Sequence, residues 1–331
     1  MRHTQLIRAI GKSGVEASAV GLGTWAIGGW MWGGTDEPES IAAIQASLDA
    51  GVTLIDTAPA YGLGRSEEIV GKALKGWREK AVIATKCGLV WHTQKGQYFF
   101  DQGTQPVHRY LGRDAIMHEV EESLRRLNTD YIDLYITHWQ DSTTPIEETV
   151  RALEDLRTSG KIRAIGASNV NADELKAYIA TGSLDAIQEK FSMIDKEIEA
   201  ELLPLTQANN VSTLSYSSLA LGLLAGTMDT ERTFSGDDQR KDNPRFSKAN
   251  RVKIRSFVQG IQVVADRHQA SIAQIVIAWT LTQPGVTFAL CGARNPAQAL
   301  ENAKAGTIRL GQHDLDAINT AIAAKLINLD K

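Results

Sequence analysis

The sequence predicts an α/β fold, a single (β/α)8 or TIM barrel, and three observations carry that expectation. Eight short apolar, β-branched runs recur along the chain, each followed by a segment of helical period. No G-x-G-x-x-G follows the first run, which speaks against the rival doubly wound sheet, and no low-complexity linker divides the 331 residues. The three long insertions, 26–36, 87–113 and 226–250, all come after strands. In a barrel that crowds them onto the C-terminal face, where loops build sites. One domain over residues 1–331 is expected.

The elements follow in order. Two short extended stretches joined across 11–14 read as an N-terminal β-hairpin. Strands are expected at 19–23, 52–56, 81–85, 132–137, 162–167, 184–188, 211–215 and 286–290. Helical periods lie at 39–51, 66–76, 114–128, 146–160, 172–182, 197–210, 251–269, 271–283 and 314–326. The run VTLID (52–56) is short and β-branched, the mark of a buried strand, and SEEIVGKAL after it reads as a helix capped by Ser66 with acids in its first turn. The insertion 226–250 is polar and punctuated by Gly, Pro and Asn, which suits either a mobile surface loop or a lid.

Composition narrows the classes. A net charge of −4 leaves no basic stripe for phosphates, so no nucleic-acid partner is expected. No apolar run approaches the ~18 residues of a membrane span, and the N-terminus lacks the apolar core of a signal peptide, so a cytoplasmic protein with no membrane partner is expected. The two cysteines, Cys87 and Cys291, lie far apart and exclude a disulfide scaffold. Neither they nor the histidines show a metal-binding spacing, and no metal is expected.

The carboxyl ends of the expected strands collect reactive groups. Strand 2 ends at Asp56, strand 3 at Lys86 and strand 4 at His138, with Tyr61 on the loop after strand 2. Singly, each reads as well as a surface ion pair, a stray lysine or a core histidine. Together on one rim they favour a site. A phenol titrates near pH ~10 and releases its proton poorly unless a cation stabilises the phenolate. A lysine held by an aspartate supplies that cation, and a histidine opposite can donate a hydrogen bond to the same substrate oxygen.

These four residues resemble the tetrad of the aldo-keto reductase superfamily. The surrounding motifs match as well: GTW at 23–25, D-T-A-x-x-Y-G at 56–62, T-K at 85–86 and I-G-A-S-N at 165–169. The chain looks closest to the bacterial stress-reductase subgroup, with its NADP-dependent glycerol dehydrogenases and glyceraldehyde reductases. The resemblance implies an NADP(H)-dependent reductase of small aldehydes and ketones, hydroxyaldehydes such as glyceraldehyde among them, or in reverse a dehydrogenase of polyols such as glycerol. Tyr61 would then be the proton donor, Lys86 would lower its pKa, Asp56 would hold Lys86, and His138 would orient the carbonyl.

The stretch CGARNPAQALEN (291–302) follows the last strand and enters a helix, the usual anion site of barrels. It is similar to the family's cofactor signature. The similarity implies Arg294 and Gln298 at an adenosine 2′-phosphate, Glu301 and Asn302 toward adenine, and Gly292 beside them. It likewise implies Ser168, Asn169 and Gln188 at the nicotinamide carboxamide and Tyr216 stacked on its ring. Ser217, Leu219 and Gly222 would lie near the pyrophosphate, and Thr24, Trp25 and Asp56 along the cofactor. Two departures stand out: Ser218 where many relatives have proline, and Thr227 where many have a lysine.

Trp25, Trp30, Trp32, Trp91 and Trp139 fall on loops after strands and are expected to line a small substrate pocket, whereas Trp279 and Trp77 suit the core. Both cysteines read as buried thiols. Two alternatives stay open: a Schiff-base aldolase using Lys86, which the adjacent Asp56 opposes by keeping the amine charged, and a non-catalytic NADPH-binding module.

Overall fold

The computed structural model describes residues 5–326 and Leu329; positions 1–4, 327–328 and 330–331 of the expected domain lie outside them. Eight parallel strands close a barrel in sequence order: β1 (Val20–Gly23), β2 (Leu54–Asp56), β3 (Val82–Cys87), β4 (Ile132–Thr137), β5 (Ile162–Ser168), β6 (Ala186–Lys190), β7 (Ser212–Tyr216) and β8 (Phe288–Gly292). Around it run α1 (Glu37–Asp49), α2 (Arg65–Ala73), α3 (Arg113–Leu127), α4 (Ile146–Thr158) and α5 (Ala172–Ala180). The ring is completed by α6 (Leu202–Ala208), α7 (Lys248–Arg267), α8 (Ile272–Thr280), α9 (Pro296–Ala305) and α10 (Gln312–Lys325). Helices cover the outer face of every strand, so both strand faces are buried and the sequence shows continuous apolar runs.

Alternation along the strands positions the site. Leu54, Val82, Ala84, Leu134, Ile136, Ala186 and Leu214 pack together inside the barrel, while Ile55 and Ile83 pack outward against the helices. With a period of two, Asp56, Lys86, His138, Gln188 and Tyr216 share the inward parity and stand at the strands' carboxyl ends. The hairpin Ile7–Ala9/Glu16–Ser18 closes the opposite end: Ile10, Val15 and Ala17 join the interior cluster. Gly11 there has φ +53, and a Cβ would lie 2.2 Å from the Asp185 carbonyl oxygen, so no other residue lets the hairpin seat this closely.

Four expectations are corrected. Strands 6 and 8 lie two residues later than the apolar pattern placed them, because their polar ends, through Lys190 and Gly292, still pair with neighbours. The 197–210 segment breaks into a short turn Glu197–Glu199 and α6, since Pro204 fits only a helix's first turn. Ser66 does not cap α2; Gly64 with φ 97 holds that position, and the Ser66 hydroxyl instead bonds Thr24 and Thr57, tying the loops after β1 and β2 together. The 87–113 insertion is an antiparallel sheet of Leu89–Val90, Gln97–Gln102 and Gln105–Arg109. Among the described residues no helix is long and apolar enough to cross a membrane.

Candidate active site

Lys86 is fully buried, and its Nζ donates to Asp56 Oδ1 at 2.9 Å and to the Thr57 carbonyl at 2.8 Å. Of three ammonium N–H groups, two are committed in this way among the described residues. Burial pulls the Lys86 pKa below the usual ammonium value, and the Asp56 charge opposes that pull. Asp56 Oδ1 also accepts the Gln188 amide at 2.7 Å, so one carboxylate oxygen joins the lysine to β6.

The Tyr61 ring lies beside this pair, with Lys86 Nζ 4.9 Å from its centroid. It stacks on Trp25 at 6.2 Å and meets the edge of His138 at 5.8 Å. The loop after β1 reaches Tyr61 because residue 28 is glycine; a Cβ there would sit 2.6 Å from the Tyr61 backbone. The expected lowering of the phenol's pKa by Lys86 is not found in this state. Burial first, and then the Asp56 charge, hold it well above its ordinary value. Burial, and secondarily Lys86, push His138 well below 6.5, so the imidazole is neutral at physiological pH and offers a hydrogen bond rather than a proton.

The residues assigned by resemblance to the nicotinamide meet at the same rim. The Ser168 hydroxyl donates to the Gln188 carbonyl at 2.6 Å. The Asn169 amide donates to the His138 carbonyl at 2.9 Å and accepts the Tyr216 hydroxyl at 2.7 Å. Below them buried Glu189 accepts the Val170 N–H at 2.9 Å, its own pKa raised by burial to about 8. Across 217–222, Ser217, Ala220, Leu221 and Gly222 all have positive φ, a run of left-handed backbone that also holds Leu219.

After β8, Asn295 caps α9 by accepting the Gln298 N–H, and Gln298 returns its side-chain oxygen to the Arg294 N–H at 2.9 Å. The Asn302 amide is committed to the Gly292 carbonyl at 3.0 Å and is buried, shaping the loop from beneath, while Glu301 is half-buried. The Arg294 guanidinium spans to the loop after β1 and donates to the Trp32 and Gly34 carbonyls at 3.1 and 2.9 Å.

The rim tryptophans separate into two groups. Trp32 meets the edge of Trp25 at 5.5 Å, close to the phenol. Trp30 stacks on Phe100 at 5.2 Å, Trp139 packs on Phe99 at 5.2 Å, and Trp91 joins that cluster. Sequence reasoning missed Phe99 and Phe100, although QYFFDQ-GT-QPVHR carries a hairpin signal, a Gly-containing two-residue turn between matched strands. It also missed Asp237, Gln239 and Arg240, polar residues in a polar insertion with no periodicity to mark them.

The donor set fits a dinucleotide. Amides and a hydroxyl sit at 168, 169 and 188, left-handed backbone turns over 217–222, and a guanidinium stands at a helix start. Two buried N–H donors on the bordering loops, Trp32 Nε1 and Gln239 Nε2, have no hydrogen-bond partner among the described residues.

The chain has relatives along nearly its whole length. The chain is 45% identical over 317 residues to the aldo-keto reductase YhdN of Bacillus subtilis, covering 95% of this chain and 92% of that one. It is 42% identical over 311 residues to an NADH-specific methylglyoxal reductase of Escherichia coli, covering 92% and 94%. The solved glycerol dehydrogenase AKR11B4 from Gluconobacter oxydans superposes with a TM-score of 0.87 at 38% identity, covering 100% of this chain and 98% of that one. The profile of the Aldo/keto reductase family matches residues 19–323, a span that takes in all eight strands and every rim residue described above, and the chain belongs to that family.

Proposed function

We propose that this protein is an NADP(H)-dependent oxidoreductase that reduces small aldehydes and ketones, hydroxyaldehydes such as glyceraldehyde among them, and oxidises polyols such as glycerol in reverse. The observation that carries the reading is the buried Lys86–Asp56 pair set against the Tyr61 ring and the neutral His138. A nicotinamide cofactor, when bound, supplies the hydride. Tyr61 holds its proton firmly at rest and gives it to the carbonyl oxygen as charge grows there. The phenolate left behind faces the Lys86 ammonium, which Asp56 and the Thr57 carbonyl keep in place. His138 donates its N–H to the same oxygen, and the clustered rings of the rim tryptophans with Phe99 and Phe100 would give small uncharged substrates an apolar wall. The activities for which two relatives are named, methylglyoxal reduction and glycerol oxidation, support that size class.

The NADP(H) preference rests on Arg294 at the start of α9, where a guanidinium can grip a 2′-phosphate through paired charge-assisted bonds. Such bonds contribute ~1.5–3 kcal/mol each, so one or two amount to roughly ten- to ten-thousand-fold. Turnover of a panel of small aldehydes and polyols with both cofactors tests the activity. Cofactor dissociation constants of Arg294→Ala test the preference: NADPH should weaken by that factor and NADH far less. Equal losses would overturn the preference. Borohydride trapping of substrate on Lys86 would overturn the chemistry in favour of a Schiff base.

A further inference from the structure

The turn 31–34 is gripped from outside on both of its polar edges. Asp237, in the insertion after β7, accepts the Met31 N–H at 2.9 Å and the Gly33 N–H at 3.0 Å. Arg294, after β8, donates to the Trp32 and Gly34 carbonyls at 3.1 and 2.9 Å. The Gln239 N–H adds a bond to the Met31 carbonyl at 3.1 Å. The turn has reason to need holding: Met31, Gly33 and Gly34 have φ of 65, 72 and 88, and for a non-glycine residue such backbone persists only when its surroundings over-determine it. The side chain it carries, Trp32, is pressed between Arg240, 5.2 Å from its ring, and Trp25, which stacks on Tyr61. What happens at 31–34 therefore reaches the phenol through two ring contacts.

We propose that Asp237 and Arg294 form a two-sided latch on this turn, and that a 2′-phosphate on the cofactor opens the Arg294 side, leaving Asp237 as the positioning residue for the Trp32–Trp25 wall of the pocket. The inference rests on the cofactor reading above. The neutral carbonyls of Trp32 and Gly34 now hold the guanidinium, and a phosphate dianion competes for the same N–H groups with stronger, charge-assisted bonds. With NAD(H) nothing competes and both sides stay fastened. With NADP(H) the turn keeps only its bonds to the insertion after β7, two to Asp237 and one to the Gln239 N–H. One arginine thus links the identity of the cofactor at the adenosine end to the shape of the carbonyl pocket.

The test is Asp237→Asn, an exposed substitution that keeps one acceptor oxygen and loses the charge. The KM for the carbonyl substrate should rise about five- to tenfold with NADPH and less than about twofold with NADH, the size of a lost hydrogen bond. Amide hydrogen exchange over 29–36 supplies a readout free of turnover. In the variant it should be faster with adenosine 2′,5′-bisphosphate bound than with adenosine 5′-monophosphate. In the wild type the two probes should differ little, and Asp237→Glu should restore protection. Equal KM changes with both cofactors, or equal exchange with both probes in Asp237→Asn, would overturn the latch while leaving the proposed reaction standing. Failure of both probes to bind would overturn the cofactor reading and the latch with it.

Discussion

Tyr61 and His138 owe their protonation states to burial before any partner acts on them. The phenol is held above its ordinary 10.0 and the imidazole below its ordinary 6.5. Reduction needs the phenol protonated and the imidazole neutral, so both conditions hold together from 6.5 to 10.0. The kcat/KM for reduction, which reports the free enzyme, should therefore be flat across that window as far as these two groups set it. Oxidation needs the phenolate and should still be rising at its upper edge. Tyr61→Phe should lower both directions by ~10²–10⁴-fold, the contribution of a positioned acid–base group, with NADPH affinity unchanged. Parallel pH profiles of the two directions would check this; an alkaline limb in reduction that is centred below pH 10 would contradict the buried phenol. Sequence pointed to the four residues that the structure brings together. It did not show the direction of the phenol's shift, because a neighbouring charge is legible in a motif and burial is not.

At the scale of elements, the strand that carries Lys86 is fastened at its end by a group on α3. Glu119 Oε2 accepts the Gly88 N–H at 2.8 Å, while burial raises the Glu119 pKa from 4.5 to about 8. The folded protein therefore holds a proton that the unfolded chain has released. Between pH 4.5 and about 8 the native state binds the extra proton, and this group's contribution weakens the fold as pH rises. Glu119→Gln keeps an acceptor for Gly88 and removes the titration. It should match the wild type below pH 4.5 and exceed it by a few kcal/mol at pH 8, at about 1.4 kcal/mol per pKa unit. Urea unfolding at pH 5 and pH 8 measures the difference, and a gap that does not widen with pH would refute the raised pKa of this buried carboxyl. The helices and strands themselves were mostly legible, since period and caps are local signals. The sheet inside 87–113 was passed over because a long polar insertion after a barrel strand invites a loop reading, although its own alternation marked it.

At the scale of the molecule, the barrel is closed at its foot by the N-terminal hairpin, and Arg8 is the clamp. Its guanidinium donates to the carbonyls of Leu281, Val286 and Thr287, around the chain's entry into β8. Arg8→Ala leaves those carbonyls without this donor and should cost ~1–3 kcal/mol of stability, visible as a lower Tm. Carbonyl and cofactor KM should stay unchanged, because the clamp lies at the end of the barrel opposite the rim. A rise in either KM would show that the foot and the rim are coupled.

The sequence by itself determined the strand–helix alternation, the parity that turns Asp56, Lys86 and His138 inward, and the signature that begins α9. Each depends on residues close together in the chain, or on a motif compact enough to read. Tertiary structure alone decided what Arg294 and Asp237 touch. Their partners in 31–34 lie more than 200 residues away, in backbone groups that any side chain could have carried. Carbonyl and amide groups are the same at every position, so no sequence pattern marks which of them a distant arginine or aspartate will claim. Only closure of the barrel, by bringing the loops after β1, β7 and β8 side by side, makes that choice.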